Sequence, residues 1–388
     1  MAITTAEQLI EAVRNATAGA TIFLERGNYT VGVPLFVPDD VTLQGAGVMQ
    51  VVDGLPVGFQ AGTESTIKAG PGLRGNLVTL GNHSSLRRLV LHGASEALFE
   101  DDEGRGGNTV AVPSRGQHDM VSATIEECEL INEITTPSGP DGPAGGAILA
   151  YTRNPKRGAA PLPHVHARVT LALTRSIVSP APDGGKAVFA MNFASHGQVT
   201  INLTTNEIGG PLDVVGGMAR PDAVDHATTT VTSNGNHYSQ PGSDTGWQIT
   251  GGSTPPLLSS ANADSNTANV NSTDDQIENF QNGIVAVGGR RLDLNHGTCA
   301  RNTVNLSLTR MKPPTIPPSL DGADFQFVGA LSLGSFPTGD KNAVVVDVLA
   351  GTAPDPLVHI DVHGAGFGTG NQLVFKGTLA ALQNLDFG

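Results

Sequence analysis

Apolar and polar residues alternate in the same way along three segments of the chain. These are RVTLALTRSIVSP (168–180), QVTINLTTNEIGGP (198–211) and ATTTVTSNGNHYSQP (227–241). Alternation over about six positions is the pattern of a strand with one buried face and one solvent face. When the segments are aligned, Thr170, Thr200 and Thr230 share one column, thirty residues apart each time. The pattern therefore predicts a repeated strand with a period of thirty residues.

Further copies extend this repeat along the chain. The same alternation recurs at 122–132, 302–310, 342–351 and 371–378. A second family of short apolar strands falls between the copies, at 146–154, 186–196, 212–220, 247–255, 283–291, 324–331 and 358–366. One such rung cannot bury its inner face alone, whereas stacked rungs share a continuous core. The chain therefore predicts a solenoid.

The N-terminus predicts a short amphipathic helix. Thr5 is placed as its N-cap, acidic residues follow in the first turns, and Leu9, Ile10 and Val13 form an apolar face. The strands ATIFLERGNYTV (20–31) and VTLQGAG (41–47) come next. This opening resembles the N-terminal cap and first rungs of the right-handed parallel β-helix of the pectin-lyase-like superfamily. The resemblance implies an all-β, right-handed parallel β-helix with a short N-terminal capping helix.

Length alone would suggest two or three domains for 388 residues, but repeat architectures escape that rule. We expect a single domain over 1–388. Residues 1–47 would form the cap and first strands, 48–380 the stacked rungs and 381–388 a C-terminal tail. In this arrangement Val169, Leu171 and Leu173, or their neighbours one position out of phase, point into the core and pack on the next rung.

Three strands of the second family carry a pair of glycines. They are LDVVGGMAR (212–220), WQITGGSTP (247–255) and GIVAVGGRR (283–291). One interpretation is structural, since glycine permits a positive φ and a close backbone approach where a strand bends. The other is functional, because glycines leave a trough in which a ligand can lie. The equivalent turn residues Asn206 and Asn236 suggest stacked side-chain amides that hydrogen-bond to turn backbones.

Charge and composition exclude several classes of function. The 22 basic and 36 acidic residues give a formal charge of −14, which provides no footprint for nucleic acid. No apolar run of 18 residues occurs, so no membrane span is expected. No signal peptide is visible, and the localisation stays open. Cys128 and Cys299 are far apart, and buried thiols are favoured over a disulfide or a metal pair. An oligomer is compatible with the sequence.

No motif indicates a cofactor or a metal. The chain has no Walker loop, no H-E-x-x-H and no G-x-S-x-G. His164 with His166, and His359 with His363, have no third ligand near them in the sequence, so solvent-facing side chains are expected.

Polar residues cluster just after the strands of the second family. Stacked at about 4.8 Å per rung, five successive strand ends would form a line roughly 19 Å long. Arginines along such a trough bind carboxylates bidentately, which suits an anionic polysaccharide. The catalytic candidates are Tyr151, His196, Arg220, Asp222 and Asp225. The substrate-binding candidates are Arg153, Asn192, Trp247, Arg290 and Arg291.

The sequence favours a carbohydrate-active enzyme without fixing the reaction. In a lyase, an arginine, Tyr151 or His196 would remove the proton α to a uronate carboxyl group. In a hydrolase, Asp222 and Asp225 would divide the acid and base roles. The same polar strand ends would also be explained by surface salt bridges that hold loops, without any catalytic role. The chain also lacks the R-x-P-x-x-R segment of familiar pectate lyases. A non-catalytic binding or surface module, and a sugar isomerase or cyclising transferase, therefore stay open as alternatives.

Overall fold

The computed structural model describes most of the chain between residue 3 and residue 386. The described residues are 3–93, 107–114, 119–132, 146–152, 166–180, 185–219, 223–254, 262–291, 297–312, 325–332, 341–348, 360–361, 371–377 and 385–386.

The chain opens with the helix α1 (Ala6–Arg14). Thr5 caps it: the backbone N–H of Gln8 donates to the Thr5 hydroxyl oxygen at 3.3 Å, and the Gln8 side chain accepts from the Thr5 N–H at 3.3 Å. This reciprocal pair is a capping box, which satisfies donors that the first turn leaves free. Leu9 and Val13 are buried beneath the helix, so the predicted amphipathic helix is confirmed.

Short strands make up most of the rest. Up to residue 93 they are β1 (Thr21–Phe23), β2 (Gly27–Val31), β3 (Leu35–Val37), β4 (Thr42–Gln44), β5 (Met49–Val52), β6 (Leu55–Phe59), β7 (Ser65–Ala69), β8 (Val78–Leu80), β9 (Ser84–Arg87) and β10 (Val90–His92). From there to residue 225 they are β11 (Val110–Pro113), β12 (Met120–Glu126), β13 (Glu129–Ile131), β14 (Ile148–Thr152), β15 (Arg168–Thr174), β16 (Ile177–Ser179), β17 (Val188–Asn192), β18 (Gln198–Thr204), β19 (Glu207–Ile208), β20 (Leu212–Met218) and β21 (Val224–Asp225). The remaining strands are β22 (Thr228–Asn234), β23 (His237–Thr254), β24 (Ala263–Asp264), β25 (Thr267–Thr273), β26 (Gln276–Arg291), β27 (Thr303–Thr309), β28 (Phe325–Ser332), β29 (Ala343–Val348), β30 (Ile360–Asp361), β31 (Gln372–Gly377) and β32 (Leu385–Asp386).

These strands stack into two long parallel sheets. Sheet 1 has eleven strands in the order β1-β4-β9-β12-β15-β18-β22-β25-β27-β29-β31, and sheet 2 has seventeen. Neighbours in a sheet come from successive rungs, as a solenoid requires. Among the described strands the hairpin β5–β6 is the antiparallel pair, and β21 pairs with β24 in parallel. The predicted fold class, an all-β parallel β-helix with an N-terminal capping helix, is confirmed. The proposed internal boundaries at 47 and 380 stay a prediction.

The register of sheet 1 follows the thirty-residue period. Thr170 pairs with Thr200, and Thr200 with Thr230, on three adjacent strands. Leu171 and Leu173 lie fully buried, in register with Ile201 and Leu203 of the next rung. Of the two alternatives expected, the structure shows the one in which Leu171 and Leu173 point into the core, because this turns the larger apolar side chains inward.

A ladder of side-chain amides, ended by one carboxylate, holds the corners that follow β15, β18 and β22 of sheet 1. The backbone N–H of Ser176 donates to Asn206 Oδ1 at 2.9 Å, and the N–H of Asn206 donates to Asn236 Oδ1 at 2.9 Å. Asn236 continues the ladder by donating its N–H to Asp275 Oδ1 at 2.7 Å. All four residues are buried, so the ladder satisfies backbone donors that no strand partner reaches. The predicted stacking of Asn206 and Asn236 is confirmed.

A second amide ladder explains the second glycine of each pair. Asn266, Asn302 and Asn342 accept in turn from the backbone N–H of the preceding corner, at 2.9–3.0 Å. Gly217 and Gly252 face Asn266 and Asn302, whose amides would overlap a β-carbon on either glycine. Neither glycine has a positive φ, and both lie within strands. The expected close backbone approach is confirmed at the first glycine of the first two pairs, since a β-carbon on Gly216 or Gly251 would overlap a carbonyl oxygen of the next rung, whereas the expected positive φ is wrong.

Both cysteines are free and buried, as expected. Burial raises the pKa of the Cys128 thiol to about 12, so this thiol stays protonated and unreactive at neutral pH. Within the described residues, no helix has the length and apolar character that a membrane crossing requires.

Candidate functional site

The corners that precede five consecutive strands of sheet 1, β18, β22, β25, β27 and β29, each place one residue in the left-handed region. The φ values are 56° at His196, 54° at His226, 59° at Ser265, 58° at Arg301 and 61° at Lys341. A non-glycine residue seldom adopts this conformation, so each corner is held by its neighbours. The corners stack as the rungs do, and they present their side chains in a row along the solenoid.

Ser195, His196, Asp225 and His226 form what we call the histidine corner. His196 donates its backbone N–H to the carbonyl oxygen of Asp225 at 2.9 Å, and Asp225 donates its own to Ser195 Oγ at 3.2 Å. These two hydrogen bonds join consecutive rungs where β17 leads into β18 and β21 into β22. The predicted candidates His196 and Asp225 are therefore neighbours, although 29 residues separate them.

A ladder of imidazoles runs through this corner. The rings of His196 and His226 are stacked with centroids 5.2 Å apart and 20° between their planes. His166 lies on the other side of His196, with its ring centroid at 5.9 Å. The three histidines are spaced by thirty residues, in phase with the threonines of sheet 1. That thirty-residue spacing was the sequence signal for this ladder. It was missed because the sequence interpretation paired His166 with His164, which lies outside the described residues.

The carboxylate of Asp225 has a lowered pKa and is accessible to solvent. Partial burial raises its pKa, but the hydroxyl of Ser195 and the positive potential of His196 and His226 more than offset this, so the pKa lies below the ordinary value. His226 Nδ1 lies 3.4 Å from Asp225 Oδ2, with about half of the Asp225 side chain (51%) exposed. An exposed carboxylate beside imidazoles can accept or relay a proton near neutral pH.

The carboxylate of the next corner has a different role. Asp264 pairs in register with Asp225. Its Oδ1 accepts the backbone N–H of Ala300 at 2.7 Å, and its Oδ2 accepts the hydroxyl of Thr298 at 2.8 Å. Arg301 lies 3.9 Å from the same carboxylate, whose side chain is 18% exposed. Asp264 therefore fixes the following turn, which leaves Asp225 as the more accessible carboxylate of the two.

Three of the predicted site residues are buried, two of them inside the solenoid, which corrects the sequence interpretation. Trp247 is fully buried in the core, edge-on to Tyr238 at 5.1 Å, so it offers no platform to a sugar. Asn192 is fully buried; its Oδ1 accepts from the Thr152 hydroxyl at 2.9 Å, and its amide donates to the carbonyl of Thr228. Both residues stabilise the rungs instead of facing a ligand.

Tyr151 is the third of these corrections. Its side chain is 3% exposed and packs edge-on against Phe193 at 6.0 Å. It belongs to an apolar cluster that also holds Leu149, Phe189, Met191 and Val215. A tyrosine that removes a substrate proton needs its hydroxyl at the substrate, and burial in this cluster does not provide that.

Arg290 is partly exposed near the end of β26, three strands beyond β17 and thus about 14 Å along the stack. Its positive charge acts on Asp213 of β20, which sequence reasoning missed. Burial raises the pKa of Asp213, and Lys186 and Arg290 oppose that rise. Asp213 pairs with Phe189, which lies six residues before the Ser195 that contacts Asp225.

Four other candidates have no described side chain. Arg153, Arg220 and Asp222 lie outside the described residues. Of Arg291, the structure describes the backbone, which pairs with Thr254 on β23. A cleft common to these residues and to His196 stays a prediction.

Comparison with known proteins gives distant structural similarities. No protein-family profile matches the chain, and no curated protein matches it. The solved polygalacturonase from Erwinia carotovora ssp. carotovora aligns over 99% of this chain and 96% of its own, with 12% identity and a TM-score of 0.32. The catalytic unit of the thermostable GH87 alpha-1,3-glucanase from Streptomyces thermodiastaticus strain HF3-3 aligns over 98% of this chain, with 12% identity and a TM-score of 0.34. This chain spans 66% of that catalytic unit. Similarities at this level assign no role to any residue here.

Proposed function

We propose that the protein is a carbohydrate-active enzyme that hydrolyses an anionic polysaccharide at the histidine corner. The observation that carries this proposal is the exposed carboxylate of Asp225, whose pKa is lowered, beside the imidazoles of His196 and His226. A solenoid also presents the same position at regular intervals along its length, which favours an extended polymer as ligand.

The proposed reaction uses Asp225 as the general base. Hydrolysis of a glycosidic bond needs one carboxylate to activate water and one acid to protonate the leaving oxygen. A pKa below the ordinary value keeps Asp225 deprotonated, as the base role requires. Asp222 is the proposed acid. It precedes Asp225 by three residues, so their Cα atoms are at most about 11 Å apart, and carboxyl groups roughly 6.5–9.5 Å apart suit an inverting mechanism.

The ladder of His166, His196 and His226 is the proposed recognition element for the acidic groups of the polymer. Rings 5.2 and 5.9 Å apart follow the solenoid axis, and imidazole N–H groups donate hydrogen bonds to carboxylate or sulfate groups. Arg220, five residues before Asp225, would add a bidentate contact from the same loop.

The test is a screen of uronate-containing, sulfated and neutral polysaccharides for new reducing ends and for absorbance near 235 nm (roughly that of an unsaturated uronate). We expect reducing ends from an anionic polymer without a rise in absorbance. Unsaturated products would replace the hydrolase with the lyase version, in which His196 removes the proton. Binding without any product would replace both with the non-catalytic module.

Asp225→Asn is the variant that ties turnover to the histidine corner. Asp40→Asn is its matched control, because Asp40 also lies beside an exposed histidine, with His83 Nδ1 at 3.3 Å and with a similar side-chain exposure of 53%. We expect Asp225→Asn to abolish hydrolysis and Asp40→Asn to leave it unchanged. Equal activity of the two variants would remove Asp225 from the mechanism.

A further inference from the structure

The histidine corner brings together three side chains that commonly bind metals. His196, Asp225 and His226 each offer one ligand atom, and these atoms all lie within 4.8 Å of one another. Two imidazole nitrogens and one carboxylate oxygen form a donor set that suits Zn²⁺, Co²⁺ or Ni²⁺. We infer that this corner binds one divalent transition-metal ion, with further coordination positions open to water. This inference goes beyond the proposed function and does not depend on it, because it describes the corner without substrate; a bound ion would engage the carboxylate that the proposed reaction uses as its base.

The backbone positions the ligands before any ion arrives. Both histidines occupy the left-handed region, and their N–H groups are anchored on the carbonyls of Asp225 at 2.9 Å and of Asp264 at 3.3 Å. Ser195 holds the Asp225 backbone from the preceding rung. Anchoring of this kind limits the number of side-chain arrangements that an ion must select, which favours binding.

Small side-chain rotations would complete the coordination. Ligand atoms around a tetrahedral zinc ion with bonds of about 2.0–2.1 Å lie about 3.3 Å apart. His226 Nδ1 and Asp225 Oδ2 are already 3.4 Å apart. The side chains of His226 and Asp225 are 60% and 51% exposed, so they can turn toward a shared ion without displacing the core.

The neighbouring corners indicate why the site would be confined to these rungs. At the next corner Ser265 and Arg301 replace the histidines, and Asp264 is engaged by Ala300 and Thr298. On the other side, His166 lies with its ring centroid 5.9 Å from that of His196, where it would add a third nitrogen as the fourth ligand. Within the part of the chain that the structure describes, no other group of His, Cys, Asp and Glu brings three ligand atoms this close.

The chain supplies its own control in His83 and Asp40. Like His226, His83 has a positive φ (53°), and its Nδ1 lies 3.3 Å from an aspartate oxygen. Its side chain is 63% exposed, close to the 60% of His226. This pair repeats the nitrogen–oxygen distance and the exposure of His226 and Asp225 without a second imidazole, so it tests whether one histidine–aspartate pair alone binds the ion.

The experiment titrates Zn²⁺ by calorimetry, and Co²⁺ by visible absorption, into the full chain without a histidine tag and without substrate. We expect one ion per chain, and at least about 10-fold weaker affinity for His226→Asn and His196→Asn. Asparagine is chosen because it tolerates a positive φ. Asp225→Asn should weaken binding as well, which provides a third variant if one histidine variant does not fold.

His83→Asn should bind both ions as the wild type does. The inference is overturned if no stoichiometric ion is bound, or if His83→Asn loses as much affinity as the corner variants do. Because no substrate is present, a failure to find hydrolysis leaves this result untouched, and an absence of metal binding leaves the hydrolase proposal untouched.

Discussion

Gly252 on β23 lies against the side-chain amide of Asn302, so that a β-carbon on the glycine would overlap that amide. Asn302 is fully buried and cannot move outward without losing its contacts. Its Oδ1 accepts the backbone N–H of Asn266 at 2.9 Å, and its Nδ2 donates to the carbonyl of Ala263 at 2.7 Å. The glycine pair and the amide ladder are therefore one structural feature formed by adjacent rungs.

We expect Gly252→Ala to lower the free energy of unfolding by about 2–4 kcal/mol. An added methyl group overpacks the site, and displacement of Asn302 would leave buried polar groups of Asn266 and Ala263 without partners. Urea denaturation measures the change. Gly32→Ala is the control, since no atom lies within 4 Å of its added β-carbon. A loss of less than about 0.5 kcal/mol for Gly252→Ala would show that the amide does not need this space.

Leu171→Ala tests the inward face of sheet 1. Leu171 is fully buried in register with Ile201, so its truncation should cost about 2–5 kcal/mol of unfolding free energy. Thr170→Ala, one position away on the opposite face, should change stability by no more than about 0.5 kcal/mol. Thermal and urea denaturation of both variants provide the comparison. Similar losses for the two variants would contradict the observed phase of the alternation.

The pH dependence of stability should depend on His237. Its Nδ1 lies 2.8 Å from Glu207, and its Nε2 lies 2.9 Å from Glu278. The hydrogen bond to Glu207, assisted by Glu278, raises the pKa of His237 despite partial burial. The stabilisation of the folded state by the protonated His237 is thus fully present below the unfolded-state pKa of about 6.5. It is lost as the pH rises through the higher pKa of the folded state.

We therefore expect the Tm of the wild type to fall between pH 6 and pH 9, over and above any general trend, and His237→Gln to flatten that fall. Differential scanning calorimetry across this range measures it. His83→Gln is the control, because His83 is exposed on the surface. If His237→Gln keeps the wild-type slope, the two glutamates do not stabilise the imidazolium.

The pH profile of hydrolysis should report Asp225. A general base must be deprotonated, and the pKa of Asp225 lies below the ordinary aspartate value of about 3.9. We expect the acid limb of kcat/KM to fall below about pH 4, and Ser195→Ala to move it upward, because the hydroxyl that favours the carboxylate is removed. An acid limb near pH 6.5 would instead assign the titrating base to a histidine.

Much of the architecture was readable from local pattern. The alternation around Leu171 and Leu173 defined the inward face, and the period shared by Thr170, Thr200 and Thr230 defined the register. Both depend on residues within one strand and its copy, so neighbouring positions carry the information. The Thr5 cap of α1 was predictable for the same reason.

The candidate site was predictable only in part. His196 and Asp225 were selected as polar strand ends, and the thirty-residue spacing of His166, His196 and His226 was present in the sequence. Trp247 and Tyr151 were assigned to a sugar-binding groove, yet both are buried. An aromatic residue on a strand can face either side of a sheet, and the apolar runs at these strands do not alternate clearly enough to tell which.

The sequence by itself determined the solenoid, its capping helix and the inward face of sheet 1, because these follow from periodic burial within each repeat. Tertiary structure alone decided that Gly252 faces Asn302 and that Ser195, His196, Asp225 and His226 meet at one corner. Those contacts join residues about 30–50 positions apart. They depend on the angle of each corner and on how one rung lies over the next. Hydrogen bonds between rungs fix both, and the sequence of a single repeat does not encode them.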